Sequence, residues 1–350
     1  MDKTGYLPIY EIGRGNIPES LHYGSIAVVN SQGDLIAWYG EPKVVTFMRS
    51  TAKPLQALPF IESGGHEKFS LHPSEIALIC ASHNGTDKHV SRAVSIQTKA
   101  GVQETDLLCG THPPIDEATS NRLRERGEEP TCNRHNCSGK HTGMLAFAQM
   151  NGWSKEDYLE LEHPVQQAIL KSIAEMCSLS VDQIVVGIDG CSAPNFAVPL
   201  EKAALAFARL VDPSSLSTER AAACKTITSA MTSYPDMVAG EGRFDTHLME
   251  TTNGRIIAKA GAEGYQGLGI FPGTIAPDSP GLGITIKISD GDIKNRARPA
   301  VCLEILRQLG ALTSSDLKAF SDFGPTQPVR NWRKLQVGEA RPCFSLSGVS

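Results

Sequence analysis

Val44-Val45-Thr46-Phe47-Met48-Arg49-Ser50-Thr51-Ala52-Lys53-Pro54-Leu55-Gln56-Ala57-Leu58-Pro59-Phe60 is the stretch on which the fold turns, because its residue pattern changes period part-way along. Val44 to Met48 reads as a strand. From Ser50 to Phe60 the chain is rich in Ala, Leu and Gln, with apolar residues at helical spacing, so strand gives way to helix at Ser50. Pro54 is compatible with this, since the first four N–H groups of a helix have no intrahelical partner.

Upstream, Gly24 to Asn30, the turn Ser31-Gln32-Gly33-Asp34 and Leu35 to Tyr39 read as a β-hairpin. Downstream, periodicity predicts helices over Lys88–Lys99, Gly143–Gln149, Pro164–Cys177, Leu200–Leu210 and Ala221–Thr232, with Gly101 and Gly152 as helix-terminating residues. Strands return at Ile184–Ile188, Arg255–Lys259 and Gly283–Ile288. Strands towards both ends with helices between them predict an α+β architecture, the terminal strands sharing one sheet. Thr111 to Cys132 reads as a long polar loop. We expect one domain over residues 1–350, with a helical subdomain around 111–232.

Composition narrows the function. A chain of 350 residues, 41% hydrophobic, is long enough to bury a sizeable core. A net charge of −5 with scattered Lys and Arg predicts no nucleic-acid partner. The first thirty or so residues contain no apolar signal core, and no run of about 18 apolar residues follows, so we expect no membrane span and a cytoplasmic protein. Nine cysteines without framework spacing are expected to stay reduced.

Three short motifs carry chemistry. Ser50-Thr51-Ala52-Lys53 fits the SxxK pattern, in which an i, i+3 spacing sets a lysine amine beside a serine hydroxyl that needs a base to become nucleophilic. The tetrapeptide alone is ambiguous, because Ser315-Asp316-Leu317-Lys318 matches as well. Ser315 lies in a polar segment and reads as the capped start of a helix. Ser82-His83-Asn84 supplies an SxN element after the apolar run Ile76 to Cys80. Lys259-Ala260-Gly261 supplies a KxG element after a strand, whereas the second match, Lys99-Ala100-Gly101, reads as a helix C-cap. The order SxxK, SxN, KxG is that of acyl-serine enzymes. Ser82 with Lys259 would then form a second serine–lysine pair.

Cys132-Asn133-Arg134-His135-Asn136-Cys137-Ser138-Gly139-Lys140-His141 is dense in ligand-capable side chains, and Cys191 follows a strand and a turn. Thiolates and imidazoles suit Zn²⁺. The same cysteines also suit a core, as small hydrophobes, and composition leaves both readings standing.

Taken together, Met48-Arg49-Ser50-Thr51-Ala52-Lys53-Pro54, Ala81-Ser82-His83-Asn84-Gly85, Asn136-Cys137-Ser138-Gly139-Lys140-His141, Gly187-Ile188-Asp189-Gly190-Cys191 and Lys259-Ala260-Gly261-Ala262-Glu263-Gly264 resemble the L-asparaginase II family of the Rhizobium type. The resemblance implies a fold similar to serine β-lactamases and glutaminases, a homodimer, and hydrolysis of L-asparagine to L-aspartate and ammonia. It implies that Ser50 is the nucleophile with Lys53 as its base, and that Ser82 and Lys259 are the second pair. It implies a Zn²⁺ site on Cys137, Lys140 and Cys191 with water as fourth ligand, although a lysine ligand must be deprotonated. Arg49, Asn84, His141, Asp189 and Gly261 fall at substrate-binding positions, with Asp189 suited to the substrate ammonium.

Other readings remain open at this stage. A metal-bound water could attack the amide directly, glutamine or a β-lactam could be the substrate, or the fold could serve a non-catalytic binding protein.

Overall fold

A computed structural model describes residues 5–349 and confirms a mixed α+β architecture. The chain divides into two compact units. The first comprises residues up to Thr46, Val198–Ser215 and the chain from Ala260 onward, and the second comprises Phe47–Ala197 with Leu216–Lys259.

The first unit is built on an antiparallel sheet in the order Gln327–Arg330, Gln336–Pro342, Leu7–Arg14, Ile17–Asn30, Leu282–Ile288 and Tyr265–Ile270, with Leu35–Tyr39 paired on Ile17–Asn30. The expected hairpin is present, and its first strand begins seven residues earlier, at Ile17. Asn30 closes the turn by accepting the Gln32 and Asp34 N–H groups on its side-chain oxygen. The helix Leu200–Val211 packs on this sheet, and the fit depends on glycine. A Cβ at Gly283 would lie 1.8 Å from the Ala204 carbonyl oxygen, so only a residue without a side chain lets the helix backbone come so close.

The second unit is mainly helical. Its central helix, Lys53–Glu62, buries every residue from Lys53 to Ile61 and packs against Ser138–Asn151, Pro164–Cys177 and Thr218–Ser233. Leu55 and Leu58 are fully buried there, and truncating either to Ala would cost about 2–5 kcal/mol. A three-stranded sheet in the order Val45–Phe47, Pro194–Pro199, Val185–Ile188 frames the entry to that helix. The turn between its last two strands carries Asp189 and Cys191.

Several expectations need correction. The polar stretch Thr111–Cys132 contains the helix Glu117–Arg126, which buries only Thr119 and Leu123 and so shows no apolar period. End effects define it instead: Asp116 accepts the Thr119 N–H at 2.7 Å, and Gly127 closes it in the left-handed region. The apolar run Ile76–Cys80, to which the sequence assigned no element, forms the end of the helix Pro73–Ile79 with Cys80 as its C-cap, and His72 and Glu75 open that helix in a reciprocal cap. The helix expected from Gly143 begins five residues earlier, at Ser138, which brings Lys140 and His141 into its first turn. Ser315 lies in the first turn of the helix Ser314–Ala319, but the cap is Thr313, paired with Asp316. Gly101 and Gly152 terminate their helices as read.

Candidate active site

Ser50 sits in the 3-10 turn Arg49–Ala52 that leads into the helix Lys53–Glu62. The Lys53 backbone N–H donates to the Ser50 carbonyl, so the two residues share one turn. Their side chains differ in setting. Ser50 is half-buried, whereas Lys53 is 1% exposed. A buried ammonium needs an acceptor for each of its donors. Lys53 Nζ finds them in the Ala81 carbonyl, Ser82 Oγ at 2.9 Å and the Asn136 carbonyl at 3.4 Å. Among the described residues Lys53 Nζ makes no hydrogen bond to Ser50; the serine that it holds is Ser82.

Lys259 reaches the same atom from the strand Ile256–Ala260, its Nζ 3.0 Å from Ser82 Oγ. Two buried amines on one hydroxyl cannot both hold a proton cheaply. Burial first, and then the neighbouring Lys53 charge, push Lys259 down to about 7. In its neutral form Lys259 accepts the Ser82 hydroxyl proton while Lys53 donates to the serine's oxygen, which orients a proton chain from Lys53 through Ser82 to Lys259. The backbone fixes the middle of that chain, because the Ser82 N–H donates to the Val238 carbonyl at 2.8 Å.

Arg49 is held in the left-handed region at φ 51°, a conformation that a non-glycine residue adopts under constraint. The constraint is visible. The Met48 N–H donates to the Phe196 carbonyl at 2.9 Å, and the Arg49 N–H donates to Asn195 Oδ1 at 3.1 Å. The Arg49 side chain then donates to Asp189 Oδ1 at 2.8 Å, and the Gly190 N–H donates to the same oxygen. Burial alone would raise the Asp189 carboxyl, but Lys140 and Arg49 outweigh it and hold the pKa below the usual carboxylate range. A fixed cation and a fixed anion thus stand side by side, with side chains 25% and 12% exposed.

Behind Asp189 lies a sulfur and nitrogen cluster. Cys137, Lys140 and Cys191 are all buried, and Lys140 Nζ donates to Cys191 Sγ at 3.0 Å. A hydrogen bond from the Cys191 thiol, outweighing burial together with the charges of Lys53 and Lys140, holds Cys137 well below the ordinary thiol range. Burial lowers His141 to about 4, leaving a neutral imidazole. Its Nδ1 pairs with the Tyr158 hydroxyl at 2.6 Å. Its Nε2 is buried without a hydrogen bond among the described residues, while Cys191 is near enough to couple to its protonation. No group of three or more His, Cys, Asp or Glu residues among those described is arranged to hold a metal. The set of two thiols and one lysine amine is a different kind of site. Burial works to lower the Lys140 amine, but the Cys191 and Cys137 charges outweigh it and raise its pKa, so the amine would have to lose its proton before it could bind a metal.

A family model described as L-asparaginase II matches residues 10–342. The chain belongs to the L-asparaginase II family. As a member it is an amidohydrolase, which carries the sequence resemblance from expectation to finding. No curated protein matches the chain. Among solved structures, a probable glutaminase from Bacillus subtilis complexed with 6-diazo-5-oxo-L-norleucine is 15% identical, covering 82% of this chain and 84% of that one with a TM-score of 0.38. Mglu in its native form is 12% identical, covering 83% of this chain and 65% of that one with a TM-score of 0.42. Likenesses this low decide neither fold nor substrate.

In this L-asparaginase II family member, ten of the twelve residues singled out from the sequence fall in the sites just described: Arg49, Ser50, Lys53, Ser82, Cys137, Lys140, His141, Asp189, Cys191 and Lys259. Asn84 belongs to the same unit, with both ends of its amide engaged, one by the Glu241 carbonyl at 3.3 Å and the other by Arg243 at 3.0 Å. Gly261 belongs to the first unit, where its N–H donates to the Tyr265 carbonyl at 2.9 Å. Sequence reading assigned no role to Asn195, Tyr158 or the Asn136 carbonyl. Asn195 follows the Cys191 turn by four residues, which is the one local signal that pointed to it.

Proposed function

We propose that this amidohydrolase acts on the side-chain amide of L-asparagine, releasing L-aspartate and ammonia through a seryl ester. The observation that carries the reading is the location of Ser82 Oγ within hydrogen-bonding distance of both Lys53 and Lys259. A relay of this kind can discharge Lys53: its proton passes to Ser82 Oγ as the Ser82 hydroxyl proton passes to neutral Lys259. Lys53, on the same turn as Ser50, then takes the Ser50 proton. Ser50 Oγ bonds to the amide carbon, the C–N bond breaks, and ammonia leaves carrying a proton returned by the relay. Water then adds to the ester carbon as the neutral amine of the relay takes its proton, the C–Oγ bond breaks with that proton passing to Ser50 Oγ, and aspartate is released. The paired Arg49 and Asp189 charges suit the α-carboxylate and α-ammonium of an amino acid, each charge exchanging its neighbour for a substrate group.

Cys137, Lys140 and Cys191 would hold Zn²⁺ in this reading, and the bound ion would supply a fixed positive charge that anchors the substrate. The free state of all nine cysteines accords with a cytoplasmic setting.

A second assignment has an observation of its own: Ser82, with a base already in place, is the better activated hydroxyl and would be the nucleophile, with Ser50 as its assistant. Acid quench during turnover of L-asparagine, followed by peptide mapping, separates the two. Aspartyl ester on the peptide carrying Ser50 supports the first assignment, ester on the Ser82 peptide supports the second, and ammonia release with no ester on either overturns the covalent mechanism. Rates of ammonia release from L-asparagine and L-glutamine decide the substrate.

A further inference from the structure

An imidazole beside a cysteine cluster serves it in one of two opposite ways, offering a lone pair to a metal or an N–H to a sulfur. The position of its proton decides which. Backbone groups reveal that position, because a peptide N–H only donates and a carbonyl only accepts. His112 Nδ1 donates to the Pro113 carbonyl at 2.6 Å and its Nε2 accepts the Asn136 N–H at 3.1 Å, so both nitrogens are engaged. His135 Nδ1 accepts the Cys137 N–H at 3.0 Å, which leaves the ring proton on Nε2. The two rings lie 4.3 Å apart, and neither keeps an open lone pair for the neighbouring thiols.

His141 is pinned by a side chain instead. Tyr158 is fully buried, its carbonyl accepts from Gln166 Nε2 at 2.8 Å, and its ring stands edge-on to the imidazole with centroids 5.7 Å apart. The Leu108 N–H donates to the Tyr158 hydroxyl oxygen at 3.0 Å, and the same oxygen lies 2.6 Å from His141 Nδ1. These two are the hydrogen-bond partners of that oxygen among the described residues, so one of them receives the phenol proton. A peptide N–H cannot, and the proton therefore goes to Nδ1. The reverse arrangement, with Nδ1–H on the oxygen, would strand the phenol proton in a fully buried place without an acceptor.

We propose that Tyr158 is a positioning residue: it holds His141 as the Nε2–H tautomer, so that this imidazole meets Cys191 as a hydrogen-bond donor and not as a metal ligand. With the three imidazoles committed in this way, the nitrogen left to the two thiols is that of Lys140, whose Nζ already donates to Cys191 Sγ at 3.0 Å. The dense run of histidines thus supports the cysteines from outside, as donors and backbone holders. Cys191 shares its turn with Asp189, the charge proposed to meet the substrate ammonium. The kinetic part of the inference rests on that reading, whereas the tautomer does not.

Two-bond proton–nitrogen spectra of the full chain, labelled with nitrogen-15 at histidine, read the tautomer directly. The His141 signals are assigned by their loss in His141→Gln. The wild-type chain should show a protonated Nε2 and an unprotonated, hydrogen-bonded Nδ1. Tyr158→Phe, which removes one oxygen, should shift the Nδ1 signal downfield or mix the two tautomers. The signals of His83, whose Nδ1 accepts the Gly85 N–H, should stay in place. In the same variant kcat/KM for L-asparagine should fall by about tenfold, chiefly through KM. A wild-type proton on Nδ1, an unmoved Nδ1 signal in Tyr158→Phe, or loss of the Nε2 proton on adding Zn²⁺ would each overturn the tautomer. A moved signal with unchanged kcat/KM would overturn the part of Tyr158 in the reaction. If the wild-type chain releases no ammonia from L-asparagine, the substrate reading fails and the spectra still decide the tautomer. The wild-type spectrum decides it even if Tyr158→Phe does not fold.

Discussion

Lys53 and Lys259 approach Ser82 Oγ at 2.9 and 3.0 Å, so one hydroxyl joins two buried amines, and burial with the neighbouring Lys53 charge pushes Lys259 down to about 7. Lys53 has three acceptors around it, and Lys259 bears the effect of that neighbouring charge. In the proposed relay the pair serves as donor and acceptor linked by a serine, an arrangement that two separate serine–lysine pairs would not produce.

The first prediction concerns pH. Lys259 works as a base only when neutral, so kcat/KM should rise with pH through about 7. Lys259→Arg, charged throughout, should remove that limb and lower turnover by about 10²–10⁴-fold. Stability should move in the same direction for a separate reason. An unfolded lysine keeps its proton up to about 10.5 and the folded one loses it near 7, so the unfolded state binds more protons between those values. Folding stability should then increase with pH across that window, and Lys259→Met should flatten the slope in urea titrations.

Lys53→Met tests whether the ammonium also holds the fold. It would leave the buried Ala81 carbonyl without its lysine donor, at about 1–3 kcal/mol, while the Asn136 carbonyl keeps the His83 N–H. A lowered melting temperature alongside lost activity is expected. Unchanged stability would show that Lys53 is not anchored as described.

Asn195→Ala removes the acceptor that holds the Arg49 N–H in its left-handed turn. Displacement of the Arg49–Asp189 pair should raise KM for L-asparagine by about tenfold, equivalent to roughly 1.4 kcal/mol, with a smaller effect on kcat. Asn195→Asp keeps an oxygen in place and should retain most of the affinity. Equal losses in both variants would argue against the hydrogen bond.

Cys191→Ser should lower zinc content, measured by plasma mass spectrometry against the wild-type chain. It should also abolish any rise in melting temperature on adding Zn²⁺. In the reading above KM rises more than kcat falls. A collapse of kcat at unchanged KM would favour a metal-activated water.

Much of the fold was legible because it was written in period: the helix Pro164–Cys177 has the predicted bounds, and the strand at Leu282–Ile288 differs by one residue. The helix Glu117–Arg126 was hidden because two buried residues make no stripe, and the strands at Gln327–Arg330 and Gln336–Pro342 because they alternate only weakly. The site residues were legible as motifs, but their partnering was not. Spacing of i, i+3 brings Lys53 onto the turn of Ser50, and only tertiary structure shows that its amine leans instead towards Ser82. Asn195 was missed for a similar reason, because its contribution lies in supporting another residue's backbone.

The second unit begins at Phe47 and ends at Lys259, so Ser50 and Lys53 stand near its opening and Lys259 is its final residue. The contact between Ser82 and Lys259 spans 177 positions of chain. Closing so long a loop is entropically slow, and local helices form well before it. Refolding followed by far-ultraviolet ellipticity should therefore run ahead of regained turnover, and a ribosome-bound chain stalled before Lys259 emerges should be largely helical yet inert. Under the proposed relay, turnover begins only after synthesis has passed that lysine.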